Sequence, residues 1–134
     1  MALLETQLEV KESTIPGAGL GLFTNLFIAK GTRIVEYKGR MTTWKAVEHD
    51  YKNGYIFSID PNHVIDAKTY KKALGRYAND AHGLVRKKGI NNNSRYVAEG
   101  YKIFIEAVKD IPPASEILVA YGKEYWDVMR RNAE

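Results

Sequence analysis

The stretch that decides the fold covers residues 115–126 and reads Ser115-Glu116-Ile117-Leu118-Val119-Ala120-Tyr121-Gly122-Lys123-Glu124-Tyr125-Trp126. Its apolar centre, residues 117–120, follows a Pro-Pro pair and precedes Tyr121 and Gly122. An apolar run of this length is typical of a buried strand, and the glycine indicates a sharp exit. Two interpretations of Tyr121 stay open on this stretch alone: a reactive hydroxyl, or a ring packed against the core with its hydroxyl in water.

The composition favours one domain with a single core. The chain has 134 residues, of which 45% are hydrophobic, and this suffices for a stable core without disulfides or structural metal ions. It contains no cysteine, which excludes disulfides, thiolate metal sites and a cysteine nucleophile. His49, His63 and His82 lack the spacing of metal ligands, so we expect them at the surface or in turns and predict no metal site.

The sequence shows no sign of a membrane protein. No apolar run is long enough to cross a bilayer, and no secretory leader is evident at the N-terminus. We therefore expect a soluble, intracellular protein with no membrane partner, in a compartment that the sequence does not specify.

The charge balance leaves room for an anionic partner. The formal net charge is +4, and the tightest basic run is Arg86-Lys87-Lys88, between Gly83 and Gly89. This run is interpreted either as a solvated loop tip or as a docking point for an acidic or nucleic-acid surface.

A glycine-rich loop, residues 17–21, lies near the N-terminus. Its three glycines alternate with Ala18 and Leu20, and an apolar pair follows. Such spacing indicates backbone that turns and admits close approach. A dinucleotide-binding loop would open a helix at its last glycine, whereas residues 22–24 have the character of a strand. The stretch is therefore either a glycine-rich hairpin or a loop that contacts a ligand.

Turn signals divide the chain into many short strands with little helix, so the predicted fold class is mainly β. Strands are predicted at residues 8–11, 22–24, 33–38, 55–59, 64–67, 95–98, 101–107 and 117–120. Thr43 is a candidate N-cap for a helix through His49, and helical turns are expected at residues 70–76 and 123–132. Residues 80–94 form a polar loop whose asparagines can tie irregular backbone together or bind a polar ligand.

Three stretches, in this order, resemble the SET domain of protein lysine methyltransferases. They are Ala18-Gly19-Leu20-Gly21-Leu22-Phe23, then Arg76-Tyr77-Ala78-Asn79 followed by Asn93, and Glu116-Ile117-Leu118-Val119-Ala120-Tyr121-Gly122. The resemblance covers residues 8–126, so a single SET domain is expected over residues 1–134. It implies a β-clip fold of small sheets with a C-terminal pseudoknot, an exception to unknotted connectivity, and a short C-terminal helix.

The resemblance also implies an activity: in-line SN2 transfer of a methyl group from S-adenosyl-L-methionine to a lysine amine, with S-adenosyl-L-homocysteine as the product. The substrate would be a lysine-bearing protein or peptide, with a histone-like one as an option. Such a transfer needs positioning and desolvation rather than a covalent intermediate. The cofactor-binding residues implied by the resemblance are Ala18, Gly19, Leu20, Arg76, Tyr77, Asn79, Asp80, Tyr121 and Trp126.

Aromatic residues are the candidates for a narrow channel that admits the lysine stem and attracts its cationic end. The channel set is Tyr55, Phe57, Tyr96, Tyr121 and Tyr125, of which Tyr121, Tyr96 and Tyr55 are the catalytic candidates. Tyr55 and Phe57 also suit the core face of one strand. No general base is evident, so we expect proton loss to solvent. Monomethylation is a hypothesis that rests on two positions. Val119 stands where many family members carry an aromatic ring that limits the number of methyl groups added, and the Tyr96 hydroxyl is a candidate for the same role.

The sequence departs from the family pattern in two respects. The usual Asn-His-Ser-Cys run is here Asn79-Asp80-Ala81-His82, and cysteine-rich flanks are absent, as in a minimal, stand-alone SET domain. Two alternatives stay open. One is a catalytically silent SET-like module that binds cofactor or peptide, which the retained Tyr121 disfavours. The other is a small basic β module that binds nucleic acid through the basic run and exposed tyrosines, with an affinity that falls steeply with salt and no cofactor binding.

Overall fold

The computed structural model describes residues 3–50, 53–82 and 88–121, and within these ranges it is mainly β, as predicted. The strands are β1 (Leu8–Glu12), β2 (Leu20–Thr24), β3 (Arg33–Glu36), β4 (Arg40–Thr42), β5 (Ile56–Asp60), β6 (His63–Asp66), β7 (Ser94–Glu99), β8 (Lys102–Ala107) and β9 (Ser115–Glu116). The helices are α1 (Trp44–Val47) and 3₁₀ turns at Glu5–Gln7 and Leu74–Tyr77.

The strands form three small antiparallel sheets, with the orders β1-β2-β9, β3-β8-β7 and β4-β6-β5. In the first sheet β1 pairs with β2 from Leu8 opposite Thr24 to Glu12 opposite Leu20. The glycine-rich loop is therefore the connection of a hairpin. Because β9 pairs with the other edge of β2, it brings the C-terminal part of the chain beside this loop.

The predicted helices are found only in part. Thr43 caps α1 as expected, since its hydroxyl accepts a hydrogen bond from the Ala46 N–H at 3.3 Å, but the helix ends at Val47. Residues 70–76 form no α-helix, and a 3₁₀ turn begins only at Leu74. The helix predicted over residues 123–132 lies outside the described residues. None of the helices described here is long and apolar enough to cross a membrane.

The strand predicted over residues 117–120 is wrong as a regular strand. This apolar segment makes only isolated parallel bridges, Leu118 with Asn79 and Val119 with Ser94. The Val119 N–H donates to the Asn79 carbonyl at 2.8 Å, and the Ser94 N–H donates to the Leu118 carbonyl at 3.0 Å. Since Asn79 precedes the polar loop and Ser94 ends it, the apolar segment lies between the two ends of that loop, as a SET pseudoknot requires.

The apolar segment also packs into the main core, through Ile117 and Val119. The buried side chains of this core are those of Leu22, Ile28, Ile34, Val35, Ala78, Ile105, Ala107, Ile111, Ile117 and Val119. Leu118 points the other way, as alternate residues of an extended chain do, and packs with Ile15 and Ala81 in a smaller cluster. The segment thus joins the glycine-rich hairpin to the start of the polar loop.

Candidate active site

Tyr121 is held at both ends by hydrogen bonds to one short stretch of chain. Its hydroxyl donates to the Ala78 carbonyl, and its backbone N–H donates to Asp80 Oδ2 at 2.9 Å. Its ring packs, partly buried, against the main core. A hydroxyl that donates its proton in this way can act toward a further group only as an acceptor.

Four rings form an aromatic cluster that continues from Tyr121. The ring centroids of Tyr121 and Tyr96 are 6.3 Å apart, those of Tyr96 and Phe57 4.9 Å, and those of Phe57 and Tyr37 5.9 Å. Tyr96 also meets Tyr37 edge to face at 6.0 Å. The structure therefore brings together three of the predicted channel residues, and it adds Tyr37, which the sequence placed in a strand without any role in the site.

Tyr55 lies next to this cluster but makes different contacts. Its carbonyl accepts a hydrogen bond from the Tyr37 hydroxyl at 2.8 Å. Its ring faces the guanidinium of Arg76, with 4.0 Å between Cζ and the ring centroid. Tyr55 thus connects the aromatic cluster to the predicted cofactor motif.

Arg76 is a buried cation, and two of its guanidinium nitrogens have no hydrogen-bond partner within the described residues. It is 9% exposed, and its guanidinium lies over the rings of Tyr55 and Tyr77, at 4.0 and 5.2 Å. Nε and Nη1 are buried and have no hydrogen-bond acceptor in the described part of the chain. Because a buried guanidinium without an acceptor is costly, this place suits an anionic group of a ligand.

The Glu116 side chain holds the hairpin that carries the glycine-rich loop, a role that the sequence did not reveal. Its buried carboxylate accepts hydrogen bonds from the Ser13 hydroxyl at 2.7 Å and from the N–H and hydroxyl of Thr14 at 2.9 and 2.6 Å. A Cβ at Gly21 would overlap Glu116 Oε2 and lie 3.1 Å from Cδ. Glycine is therefore required at position 21 by close approach to this carboxylate.

Asn79 joins the same carboxylate to the glycine-rich loop. Its Nδ2 donates to the Leu20 carbonyl at 2.9 Å and lies 3.4 Å from Glu116 Oε2. Gly19 adopts a φ of 74°, in the left-handed region that favours glycine, and the Leu20 side chain is 53% exposed. The structure therefore places two separate parts of the predicted cofactor set, the loop and Asn79, in direct contact.

Two further predicted cofactor residues use their side chains inside the protein. The Tyr77 hydroxyl donates to the Lys71 carbonyl, and the Asp80 carboxylate accepts the Tyr121 N–H. Trp126 and Tyr125 lie outside the described residues, as do Arg86 and Lys87 of the basic run.

The histidines form no metal site in the described residues. His49 and His82 are exposed, as predicted, whereas His63 is half-buried in β6. No metal-binding group of three or more His, Asp or Glu occurs in residues 3–50, 53–82 and 88–121. An open groove of about 620 Å³ is lined by Tyr37 with Met41, Ile65, Tyr70 and Tyr101, among others. Apart from Tyr37, it shares no residue with the aromatic cluster or the predicted cofactor set.

Comparison with known proteins points to one family. A family model described as the SET domain matches residues 19–122. The chain is 33% identical over 120 residues to Histone-lysine N-methyltransferase set-17 of Caenorhabditis elegans. The aligned region covers 87% of this chain and 41% of that protein. It is 28% identical over 118 residues to Histone-lysine N-methyltransferase ASHH1 of Arabidopsis thaliana. The aligned region covers 82% of this chain and 23% of that protein.

A solved structure shares the fold. The methyltransferase domain of human PR domain-containing protein 2 matches with a TM-score of 0.64 and 20% identity, over 87% of this chain and 78% of that one. The chain spans less than half the length of the two curated relatives described above. Since the family model matches residues 19–122, which is most of the chain, the chain belongs to the SET-domain family.

Proposed function

We propose that this chain is a methyltransferase that uses S-adenosyl-L-methionine to methylate the side-chain amine of a lysine in a protein or peptide. The observation that carries the proposal is the position of Tyr121, clamped by Ala78 and Asp80 where the aromatic cluster meets the Arg76–Asn79 stretch. Two relatives named as histone-lysine N-methyltransferases support the class of reaction. We extend the proposal to a histone-like substrate.

The residues present fit the methyl donor, because Arg76 offers buried donors without an acceptor in the described residues. Arg76 would hold the carboxylate of its amino-acid end, and Asn79 would bind the same end beside the loop backbone. The complete proposed set is Ala18, Gly19, Leu20, Arg76, Tyr77, Asn79, Asp80, Tyr121 and Trp126. When bound, the donor supplies an electrophilic methyl group for in-line displacement by the lysine nitrogen.

The aromatic cluster would prepare the lysine. Its four rings exclude water from the stem, and their faces attract the cationic end. Burial disfavours the charged ammonium and so lowers the pKa of the substrate amine, which promotes loss of its proton. The cluster contains no carboxylate or imidazole, so the proton would leave through water. The Tyr121 oxygen would accept a weak CH···O contact, worth about 0.5–1 kcal/mol.

We also propose that the enzyme adds one methyl group. Val119 is completely buried in the main core and places no ring beside Tyr121, whereas the Tyr96 ring stacks on Tyr121 at 6.3 Å. A hydroxyl at position 96 would then limit the space around the amine, in place of a ring at position 119.

Binding calorimetry tests the cofactor site directly. The parent and Arg76→Met are titrated with S-adenosyl-L-homocysteine and with 5′-deoxy-5′-methylthioadenosine, which lacks the amino-acid end. We expect Arg76→Met to weaken the first ligand about 10- to 100-fold, the value of a lost charge-assisted hydrogen bond, and to leave the second unchanged. Arg95→Met, at a side chain that is 63% exposed, is the control. Equal binding by parent and Arg76→Met would contradict the assignment.

Methyl transfer is tested with radiolabelled donor and lysine-rich histone-tail peptides. We expect Tyr121→Phe to bind S-adenosyl-L-homocysteine as the parent does but to lose activity about tenfold or more. Cofactor binding without transfer to any lysine peptide would instead favour a silent module. Absence of cofactor binding, together with oligonucleotide binding that weakens steeply with salt, would favour a nucleic-acid module.

A further inference from the structure

The Asp80 carboxylate is the meeting point of three parts of the chain. It is 7% exposed. Its Oδ1 accepts hydrogen bonds from the His82 N–H at 2.8 Å and from Asn92 Nδ2 at 2.9 Å. Its Oδ2 accepts the Tyr121 N–H at 2.9 Å. Oδ1 therefore binds the polar loop, and Oδ2 binds the main chain of Tyr121.

The contacts on Oδ1 fix the direction of the carboxylate. Asn92 donates to Asp80 with its amide nitrogen and accepts the Ala81 N–H with its amide oxygen, at 2.8 Å. The start and the end of the polar loop are joined by this pair of bonds. A carboxylate held in this way presents its second oxygen to Tyr121 in one orientation.

The contact on Oδ2 and the hydrogen bond of the Tyr121 hydroxyl both orient Tyr121. The hydroxyl donates to the carbonyl of Ala78, a residue that is 1% exposed. With the main chain held at one end and the phenol oxygen at the other, the ring has little freedom to tilt. Loss of the main-chain anchor would let the hydroxyl move although its own partner stays in place.

We propose that Asp80 is a positioning residue, whose carboxylate orients Tyr121 for methyl transfer without touching either reactant. The inference rests on the proposed function of the site. It assigns a task to the side chain of Asp80, so any cofactor contact of this residue would be made by its backbone. It also gives a chemical reason for the charge, because three N–H donors converge on this side chain and an amide would turn its own NH₂ toward at least one of them.

The main test compares Asp80→Asn with Asn92→Ala. Asp80→Asn keeps the shape but replaces one of the two acceptor oxygens with an NH₂ donor, and we expect kcat to fall up to about a hundredfold, the effect of a small misplacement of a catalytic group. Asn92→Ala removes one of the two hydrogen bonds on Oδ1 but leaves the His82 N–H on that oxygen and the Tyr121 N–H on Oδ2. The carboxylate therefore keeps its orientation, and kcat should stay within about threefold at a comparable loss of stability. A kcat that follows the unfolding midpoint equally in both variants, or an unchanged kcat in Asp80→Asn, would overturn the proposal.

The double variant Asp80→Asn/Asn92→Asp tests whether kcat recovers when the acceptor for the Tyr121 N–H is restored. It also tests the positioning role of Asp80 if the single variant Asp80→Asn does not fold. The amide at position 80 can donate to the new carboxylate at position 92 and keep its oxygen for the Tyr121 N–H. We expect kcat to return to within about threefold of the parent, although the His82 N–H has lost its acceptor and stability stays lower. A kcat reduced in proportion to that stability would contradict a positioning role.

An activity-independent readout separates this inference from the proposed function. In spectra of ¹⁵N-tyrosine-labelled protein, the Tyr121 amide proton should resonate downfield because it donates to a carboxylate, and Asp80→Asn should move it upfield while Asn92→Ala does not. An unmoved Tyr121 signal overturns the role of Asp80. A parent that shows the expected shift but neither binds S-adenosyl-L-homocysteine nor transfers methyl groups overturns the proposed function instead.

Discussion

Asn93 and Leu118 are joined by hydrogen bonds in both directions. The Asn93 N–H donates to the Leu118 carbonyl at 2.9 Å, and Asn93 Oδ1 accepts the Leu118 N–H at 2.9 Å. The Nδ2 of the same side chain donates to the Glu116 carbonyl at 2.9 Å. One buried amide thus satisfies backbone groups of a segment that has no regular strand partner.

Asn93→Ala should therefore destabilise the whole fold. It leaves a buried N–H of Leu118 and the carbonyl of Glu116 without their partner, and each such group costs about 1–3 kcal/mol. We expect the free energy of unfolding in urea to fall by about 2–4 kcal/mol. Asn91→Ala, at an exposed position of the same run, should cost less than about 0.5 kcal/mol. Equal losses in the two variants would contradict the locking role of Asn93.

Gly21→Ala should be destabilising because of Glu116. The added methyl group would overlap a carboxylate that is held by Ser13 and Thr14 and cannot move away freely. Overpacking of this kind costs about 1–3 kcal/mol. A Glu116→Ala background removes the main overlap and leaves only Ser13 Cβ close, at 3.2 Å, so the two substitutions should cost less together than the sum of their separate costs. Strictly additive losses in thermal or urea unfolding would contradict the steric explanation.

The ion pair between Asp60 and His63 should make stability depend on pH. The His63 Nδ1 lies 2.9 and 3.0 Å from the two carboxylate oxygens, and this hydrogen bond lowers the pKa of Asp60 below its usual 3.8. A carboxyl whose native pKa is depressed stabilises the fold above its unfolded-state pKa and loses that effect as the pH falls through the native value. The stability difference between parent and Asp60→Asn should therefore be present above pH 3.8 and shrink below it.

His63→Phe supplies the control for this pH effect. The variant removes the hydrogen bond but keeps a ring that can stack on Tyr101, as His63 does with 3.7 Å between centroids. In that background, the pH dependence of the Asp60→Asn effect should shrink to the smaller part that comes from the backbone N–H groups of residues 62 and 63. A pH dependence of undiminished size would show that the histidine side chain is not the main cause of the lowered pKa of Asp60.

Local signals predicted the parts of the fold that are built from neighbouring residues. The strands predicted at residues 95–98 and 101–107 are found as the hairpin of β7 and β8, and its two-residue turn is Gly100-Tyr101, where Gly100 has a positive φ of 61°. The apolar segment was predicted less well, because Leu118 and Val119 find their partners at Asn79 and Ser94, which lie 24 or more positions away in the sequence. Hydrophobicity indicated that the segment is buried, but it carries no information on such partners.

The site residues were likewise predicted only in part from the sequence. The family resemblance pointed to Phe57, Tyr96 and Tyr121, which do pack together, but nothing local distinguishes Tyr37, the residue after β3, from an ordinary core residue. Glu116 was part of a recognised motif, yet its task depends on hydroxyl groups of the N-terminal hairpin more than 100 positions away. A buried carboxylate of this kind becomes visible only when its donors are seen.

Tyr96→Phe tests the proposed control of methylation multiplicity. The Tyr96 ring contacts Phe57, Tyr37 and Tyr121, so its loss would collapse the aromatic cluster, whereas phenylalanine preserves these contacts and removes only the hydroxyl. The space vacated should admit an amine that already carries a methyl group. We therefore expect mass spectrometry to show monomethyl-lysine as the main product of the parent and a shift to di- and trimethyl-lysine in Tyr96→Phe.

The matched control for this last experiment is Tyr101→Phe, which removes a hydroxyl from a tyrosine that is 55% exposed and stacks on His63 outside the cluster. It should leave the product distribution unchanged. Abundant trimethyl-lysine from the parent would contradict monomethylation itself. A parent that stops at one methyl group and a Tyr96→Phe variant that does the same would show that the limit is set elsewhere in the cluster, with Tyr37 the next residue to vary.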